Sequence, residues 1–209
     1  MSIAEMPAGG KSVADKYNRL SSVYDLMEWP MEFLFFSRWR KEVLSGLGGR
    51  VLEVGVGTGK NLKYYPPGCL IIGIDNSEGM LKKARKKAEG MNNVTLLLMD
   101  AEHLEFPDNT FDYVVTTFVL CSIPDPVKAL KEMRRVLKPS GEMINLEHMR
   151  SSNRFISRFE DLINPIIVSM TGIHVNRKTV ENVVKAGFAI KDVENLLLKD
   201  VFRKIRSKP

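Results

Sequence analysis

Apolar residues along the chain fall into two alternating rhythms. Runs that are apolar at nearly every position, at 50–54, 69–74, 94–99, 111–120 and 142–146, read as strands buried on both faces. Stretches with helical spacing lie between them. Residues 61–65 form a short helix stopped by Pro66-Pro67-Gly68, 78–90 a strongly basic one, and Pro124-Asp125-Pro126 opens one that runs through Leu137 to the turn Lys138-Pro139-Ser140-Gly141. Buried strands separated by helices predict an α/β fold with a parallel, doubly wound sheet.

The flanks extend that pattern. Residues 13–44 are helical, with apolar positions at Tyr17, Leu20, Val23, Tyr24 and Met27, and Pro30 divides them into two helices. After the fifth strand come a helix over 151–170 ending near Thr171-Gly172, a helix over 176–186, and two strands at 188–193 and 196–205. No internal repeat, linker or second domain interrupts the series. The segment Met31-Glu32-Phe33-Leu34-Phe35-Phe36, beside Trp29, Arg38, Trp39 and Arg40, is unusually apolar. It reads either as a helix packed on the core or capping a pocket, or as contact with a membrane surface or apolar substrate.

Composition adds bounds. The 209 residues are 44% hydrophobic and 27% charged, which suits one soluble globular domain with a full core. The net charge is +6, but the basic residues are scattered, and the densest run, Lys82-Lys83-Ala84-Arg85-Lys86-Lys87, reads as a solvated helix face. Nucleic acid is not an expected partner. Cys69 and Cys121 have no metal-type spacing, so neither a disulfide framework nor a metal site is expected. The start Met1-Ser2-Ile3-Ala4-Glu5 has no leader pattern and no long apolar span occurs, so a cytoplasmic protein is expected, with peripheral contact at a membrane surface as its variant.

Candidate chemistry centres on Glu53-Val54-Gly55-Val56-Gly57-Thr58-Gly59-Lys60. An apolar strand ending in alternating glycines, with a helix start behind it, offers bare backbone and unpaired N–H groups to a nucleotide-type ligand. The dinucleotide spacing G-x-G-x-x-G would put its third glycine at Lys60, and Gly59 comes one residue early. Glu53 would repel a pyrophosphate and suit a cationic ligand. Asp75 and Asp100 then end the second and third strands. Carboxyl ends of strands in such a sheet face the ligand crevice. A carboxylate there can accept two hydrogen bonds from a ribose diol, or one from an adenine amino group.

Together, Leu52-Glu53-Val54-Gly55-Val56-Gly57-Thr58-Gly59, Gly73-Ile74-Asp75, Met99-Asp100-Ala101-Glu102, Phe111-Asp112 and Leu137-Lys138-Pro139-Ser140-Gly141 resemble the class I S-adenosylmethionine (SAM)-dependent methyltransferases across nearly the whole chain. Tyr17-Asn18 with Val23-Tyr24-Asp25-Leu26-Met27 is similar to the N-terminal segment of menaquinone and ubiquinone C-methyltransferases. Residues 99–107 are similar to bacterial phosphatidylethanolamine N-methyltransferases. Tyr64-Tyr65-Pro66-Pro67-Gly68, Val119-Leu120-Cys121-Ser122 and Leu146-Glu147-His148 look like methyltransferase-like proteins that methylate small thiols.

The resemblance implies a Rossmann-like, seven-stranded, mostly parallel sheet in one domain over 1–209. An N-terminal helical lid would span 1–48, a SAM-binding core 49–150, and acceptor-side helices with closing strands 151–209. It implies SAM as cofactor and S-adenosylhomocysteine as product. Glu53 and the Gly55, Gly57 and Gly59 backbone would hold the methionine end, Asp75 with Asn76 the ribose, and Met80, Asp100 and Ala101 the adenine. Thr117 would contact the methionine moiety and Tyr24 would reach over the sulfonium. Ser140 departs from the family's usual glycine.

Candidates for a base are His148 and Glu147 at the end of the fifth strand, and Tyr17 or Tyr24 from the lid. Glu147 and His148 equally suit a structural role, tying down the following helix. His174 reads as a loop residue. The apolar lid residues and Ile163, Ile166, Ile167 and Met170 suggest a small-molecule or lipid-like, apolar or amphiphilic acceptor: a quinol-type carbon, a phospholipid amine or a small thiol. A catalytically silent SAM-binding partner subunit and an NAD(P)-binding reductase are the alternative functions.

Overall fold

In the computed structural model, which describes residues 13–18 and 29–209, the five apolar runs become parallel strands. These are β1 (Gly49–Val54), β2 (Cys69–Asp75), β3 (Val94–Leu98), β4 (Phe111–Thr117) and β5 (Leu137–His148). An antiparallel pair, β6 (Ala189–Leu197) and β7 (Phe202–Lys208), completes the sheet. The order is β3-β2-β1-β4-β5-β7-β6, with β7 antiparallel to both of its neighbours. This is the expected seven-stranded, mostly parallel, doubly wound sheet. Its order reverses between β1 and β4, where such sheets open a ligand crevice at the strands' carboxyl ends.

The helices are α1 (residues 13–18), α2 (Ser37–Leu44), α3 (Glu78–Lys87), α4 (Pro126–Val136), α5 (Arg154–Thr171) and α6 (Thr179–Lys185). Their starts follow from local chemistry. The Ser77 hydroxyl accepts from the Met80 N–H at 3.2 Å, Asp125 Oδ1 accepts from Lys128 N–H at 3.0 Å beside Pro126 at the first turn, and Asn153 Oδ1 accepts from Phe155 N–H at 3.0 Å. Helix α5 stops where Gly172 takes φ +83.

Strand alternation divides the core between the two faces of the sheet. Leu52, Val114 and Met143 pack with Leu130 and Met133 of α4 and Val183 of α6. Val51, Val115 and Ile144 pack with Leu44 of α2, with Leu81 of α3 and with Leu62. A third cluster joins Phe36, Trp39 and Leu146, with Phe118 and Phe202 against them.

Residues 29–44 run on as helix, with a π turn at Glu32–Phe36, and the break expected at Pro30 would fall against residues 19–28, outside the described residues. Three sequence expectations are corrected. The helix expected after β1 is one 3₁₀ turn, Leu62–Tyr64. The turn expected at 138–141 is absorbed into β5 as a register irregularity between Phe111 and Tyr113 of β4. The last turn falls four residues later than expected, so Leu196 and Leu197 belong to β6.

Leu130 is fully buried between α4 and the sheet. Leu130→Ala is expected to lower unfolding free energy by about 2–5 kcal/mol, read by urea denaturation. A loss below ~1 kcal/mol would mean that α4 does not pack as described.

Candidate active site

A cavity opens at the carboxyl ends of β1, β2 and β4. It measures about 870 Å³ with its open mouth, within the range of cofactor sites, ~300–1,000 Å³. Gly55, Gly57, Asp75, Asn76, Met80, Asp100, Ala101 and Thr117 line it, all of them expected from the sequence. Val13 and Tyr17 of α1 close one side. Tyr24, expected over the reacting centre, lies outside the described residues.

The glycine loop is shaped by its own hydrogen bonds. Gly55 N–H and Val56 N–H both donate to the Ile74 carbonyl, at 2.8 and 2.9 Å, and Gly57 N–H donates to Asp75 Oδ2 at 2.9 Å. The donors expected to face an anion are therefore used within the protein. Gly55 has φ +71, and a Cβ there would lie 2.2 Å from Val119 Cγ2. Gly59 lines no part of the cavity. It lets α3 approach, since a Cβ there would sit 3.0 Å from Ala84 Cα.

Asp75 accepts on both oxygens, from Gly57 N–H and from Ser77 N–H at 2.9 Å, and burial raises its pKa. A carboxylate offers about four lone-pair sites, so it can hold the loop and still accept from a diol. Asp100 is mostly exposed, accepts from Glu102 N–H at 2.9 Å, and lines the cavity edge. Asn18 Oδ1 accepts from the Ser77 hydroxyl at 2.7 Å and from Gly79 N–H at 2.9 Å, which docks α1 beside this end.

Glu53 is not on the cavity wall. It shares the strand face of Val51, toward α2. Its Oε1 accepts from Asn61 Nδ2 at 2.7 Å and its Oε2 from the Tyr65 hydroxyl at 3.0 Å. Burial raises its pKa to about 7, against the opposing pull of those hydrogen bonds. Asn61 Oδ1 in turn accepts from Arg40 Nη1 at 2.8 Å, and Thr117 Oγ1 accepts from Arg40 Nη1 at 2.9 Å and Asn61 Nδ2 at 3.0 Å.

Arg40 is the site residue that sequence reasoning missed. It is buried, lines the cavity, lies 5.3 Å from the Phe118 ring and pairs with Glu32 Oε2 at 3.3 Å. A signal existed: Arg40 falls on the same helical stripe as Phe36 and Leu44, where a charge needs a buried partner.

Glu147 and His148 also lie off the cavity wall. Glu147 Oε1 accepts from Val119 N–H at 3.2 Å and Leu120 N–H at 3.4 Å, so it holds the loop that rims the cavity, and burial raises its pKa to about 7. The His148 ring hydrogen-bonds the His174 backbone, and burial lowers its pKa to about 4. Its Nε2 is buried without a partner among the described residues. His174 N–H donates to the Cys121 carbonyl at 3.0 Å, joining that loop to the same corner.

Residues 52–145 match the family model of a methyltransferase domain. The chain is 41% identical over 126 residues to a phosphatidylethanolamine N-methyltransferase of Cereibacter sphaeroides, covering 56% of this chain and 62% of that protein. It is 39% identical over 153 residues to a demethylmenaquinone methyltransferase of Staphylococcus carnosus, covering 69% and 64%. The chain thus spans less than two thirds of the length of these relatives. Its fold matches a crystal structure from Thermotoga maritima, described as a SAM-dependent methyltransferase and possible histamine N-methyltransferase, with TM-score 0.73, 26% identity, and 94% and 99% of the two chains covered. Residues 52–145 thus carry a methyltransferase domain, and the likenesses support SAM as its cofactor. In sequence the chain is similar to a phosphatidylethanolamine N-methyltransferase and to demethylmenaquinone methyltransferases.

The cavity fits that cofactor. Acids stand at one end, a buried guanidinium at the other, and the loop between them has no spare N–H at Gly55, Val56 or Gly57 for a pyrophosphate.

Asp75→Ala is expected to weaken SAM binding by about 1–3 kcal/mol through loss of charged hydrogen bonds, as calorimetry would read. Unchanged affinity would mean that the ribose lies elsewhere. A pH test follows from Glu53. With its pKa raised from an ordinary 4.5 to about 7, the folded chain keeps a proton that the unfolded chain loses between those values. Its contribution to stability is present at low pH and falls as pH rises through that window. In thermal melts, Glu53→Gln should lose less stability than wild type between about pH 5 and 7.5; an equal loss would show that the Glu53 carboxyl is not held this way.

Proposed function

We infer that the chain transfers the methyl group of SAM to a small apolar or amphiphilic acceptor. The observation that carries this reading is the charge layout of the cavity, with Asp75 and Asp100 at one end and Arg40 with Thr117 at the other. The acids would take the ribose and adenine edge, with Met80 packed on the base. Arg40 would meet the carboxylate of the methionine moiety.

When bound, SAM supplies a methyl group on a sulfonium, ready for a single displacement. The chain's residues then have to orient, enclose and exclude water. Holding two reactants in line is worth up to roughly 7–11 kcal/mol in favourable cases. Phe118, Val119, Ile123 and Pro124 on one rim, with Val13 on the other, give the enclosure an apolar mouth. That mouth supports an acceptor with a substantial apolar part. The relatives' names point the same way, one to a phospholipid amine and one to a quinone ring. Trp29, Phe33 and Leu34, all exposed on the helical segment beside the cavity, support contact with a membrane surface.

His148 lies off the cavity wall, so on the acceptor side it serves only by positioning: its buried ring hydrogen-bonds the His174 backbone, while Glu147 holds the rim loop. His148→Ala should slow turnover with near-normal SAM affinity, through a displaced rim. An unaffected rate would mean that this corner does not set the acceptor side. Turnover of labelled SAM against quinols, phospholipids and thiols tests the acceptor class. Methylation of soluble, highly charged metabolites alone would overturn it.

A further inference from the structure

Among the described residues, helix α5 leaves one face unpacked. Phe155, Phe159, Leu162, Ile166 and Met170 recur at helical spacing and are 62–83% exposed. They form a stripe about 22 Å long. Soluble monomers rarely leave so continuous an apolar surface in water. The opposite face is anchored, since Ser157 and Glu160 are buried and the Glu160 carboxylate accepts from Ser151 N–H at 3.0 Å. The stripe therefore cannot roll inward.

Charge selects the occupant. Arg154 and Arg158 stand exposed at the amino end of the stripe, and neither makes an ion pair among the described residues. The exposed acid of the helix, Asp161, is already held by Arg150 at 2.7 Å and Asn176 at 2.9 Å. Residues 162–172 carry no charge. A second copy pairing through this face would bring no free acid to meet the two arginines. A layer of lipid phosphates would meet them, with acyl chains receiving the apolar side chains. No helix among the described residues is long and apolar enough to cross a membrane, so α5 would lie flat in the interface.

The far end of α5 lies against α1, which closes one side of the cavity. Lys16 Nζ donates to the Val168 and Ser169 carbonyls of α5 at 3.0 and 2.9 Å, and its neighbour Tyr17 lines the cavity. We propose that the exposed face of α5 docks the chain on an anionic phospholipid surface, bringing the mouth of the cavity to the lipid. The proposal deepens the reading of an amphiphilic acceptor and rests on it only for this last step.

Flotation of the full chain with vesicles tests the surface without turnover. Binding to phosphatidylcholine–phosphatidylglycerol vesicles should exceed binding to phosphatidylcholine alone. Phe159→Ser with Leu162→Ser and Ile166→Ser should reduce binding by about tenfold or more, at retained SAM affinity. Arg154→Glu with Arg158→Glu should abolish the preference for phosphatidylglycerol. Should the serine variant not fold, Phe159→Cys with a polarity-sensitive label gives a second readout, since Cys69 and Cys121 are buried; its emission should shift to the blue on vesicles. The proposal is overturned by a wild type that ignores both vesicles, by serine variants that bind as well, by an unshifted label, or by variants that change only the solution mass, which would identify a second copy. Vesicle binding without any turnover would support the docking surface and count against the methyl-transfer reading instead.

Discussion

A guanidinium taken out of water sets the terms for the rest of the site. An unpaired buried charge costs several kcal/mol, so Arg40 must be met from every side. Glu32 meets it from the π turn, Asn61 from the glycine loop and Thr117 from the end of β4. Those contacts tie three segments, far apart in sequence, to one point. Glu53 completes the arrangement through Asn61 and Tyr65. Burial raises its pKa to about 7, so that corner takes up a proton more readily than an ordinary carboxylate would.

Much of this was legible in the sequence, and the rest was hidden for identifiable reasons. Runs of apolar residues located β1 to β5, because strands buried on both faces leave no alternation to misread. Asp75 and Asp100 were found because strand ends are easy to place and parallel strands end on the crevice side. Glu53 was misjudged by one step of pleat: two residues before Gly55, it shares the face of Val51 and points under the loop. The notion of free N–H groups failed because the loop donors turn back onto Ile74 and Asp75. The β6–β7 turn was misplaced because it carries no glycine. Leu198 and Lys199 adopt φ +50 and +63, a conformation that their side chains do not announce.

The two sides of the cavity obey different rules. On the cofactor side, side chains and backbone are locked by short hydrogen bonds. On the acceptor side, Glu147 fixes the rim loop from beneath while the contacts at the mouth are apolar and non-directional. Such a surface selects for size and greasiness more than for a particular functional group.

Arg40 and its partners are the groups we propose to hold the amino-acid end of SAM. Calorimetric titration with SAM and with 5′-methylthioadenosine, which lacks that end, tests this most directly in wild type and Arg40→Ala. A charged hydrogen bond of ~1.5–3 kcal/mol corresponds to a preference for SAM of about tenfold or more in the wild type, largely lost in the variant. Equal affinity of the wild type for both ligands, or an unchanged preference in Arg40→Ala, would show that Arg40 does not hold that end.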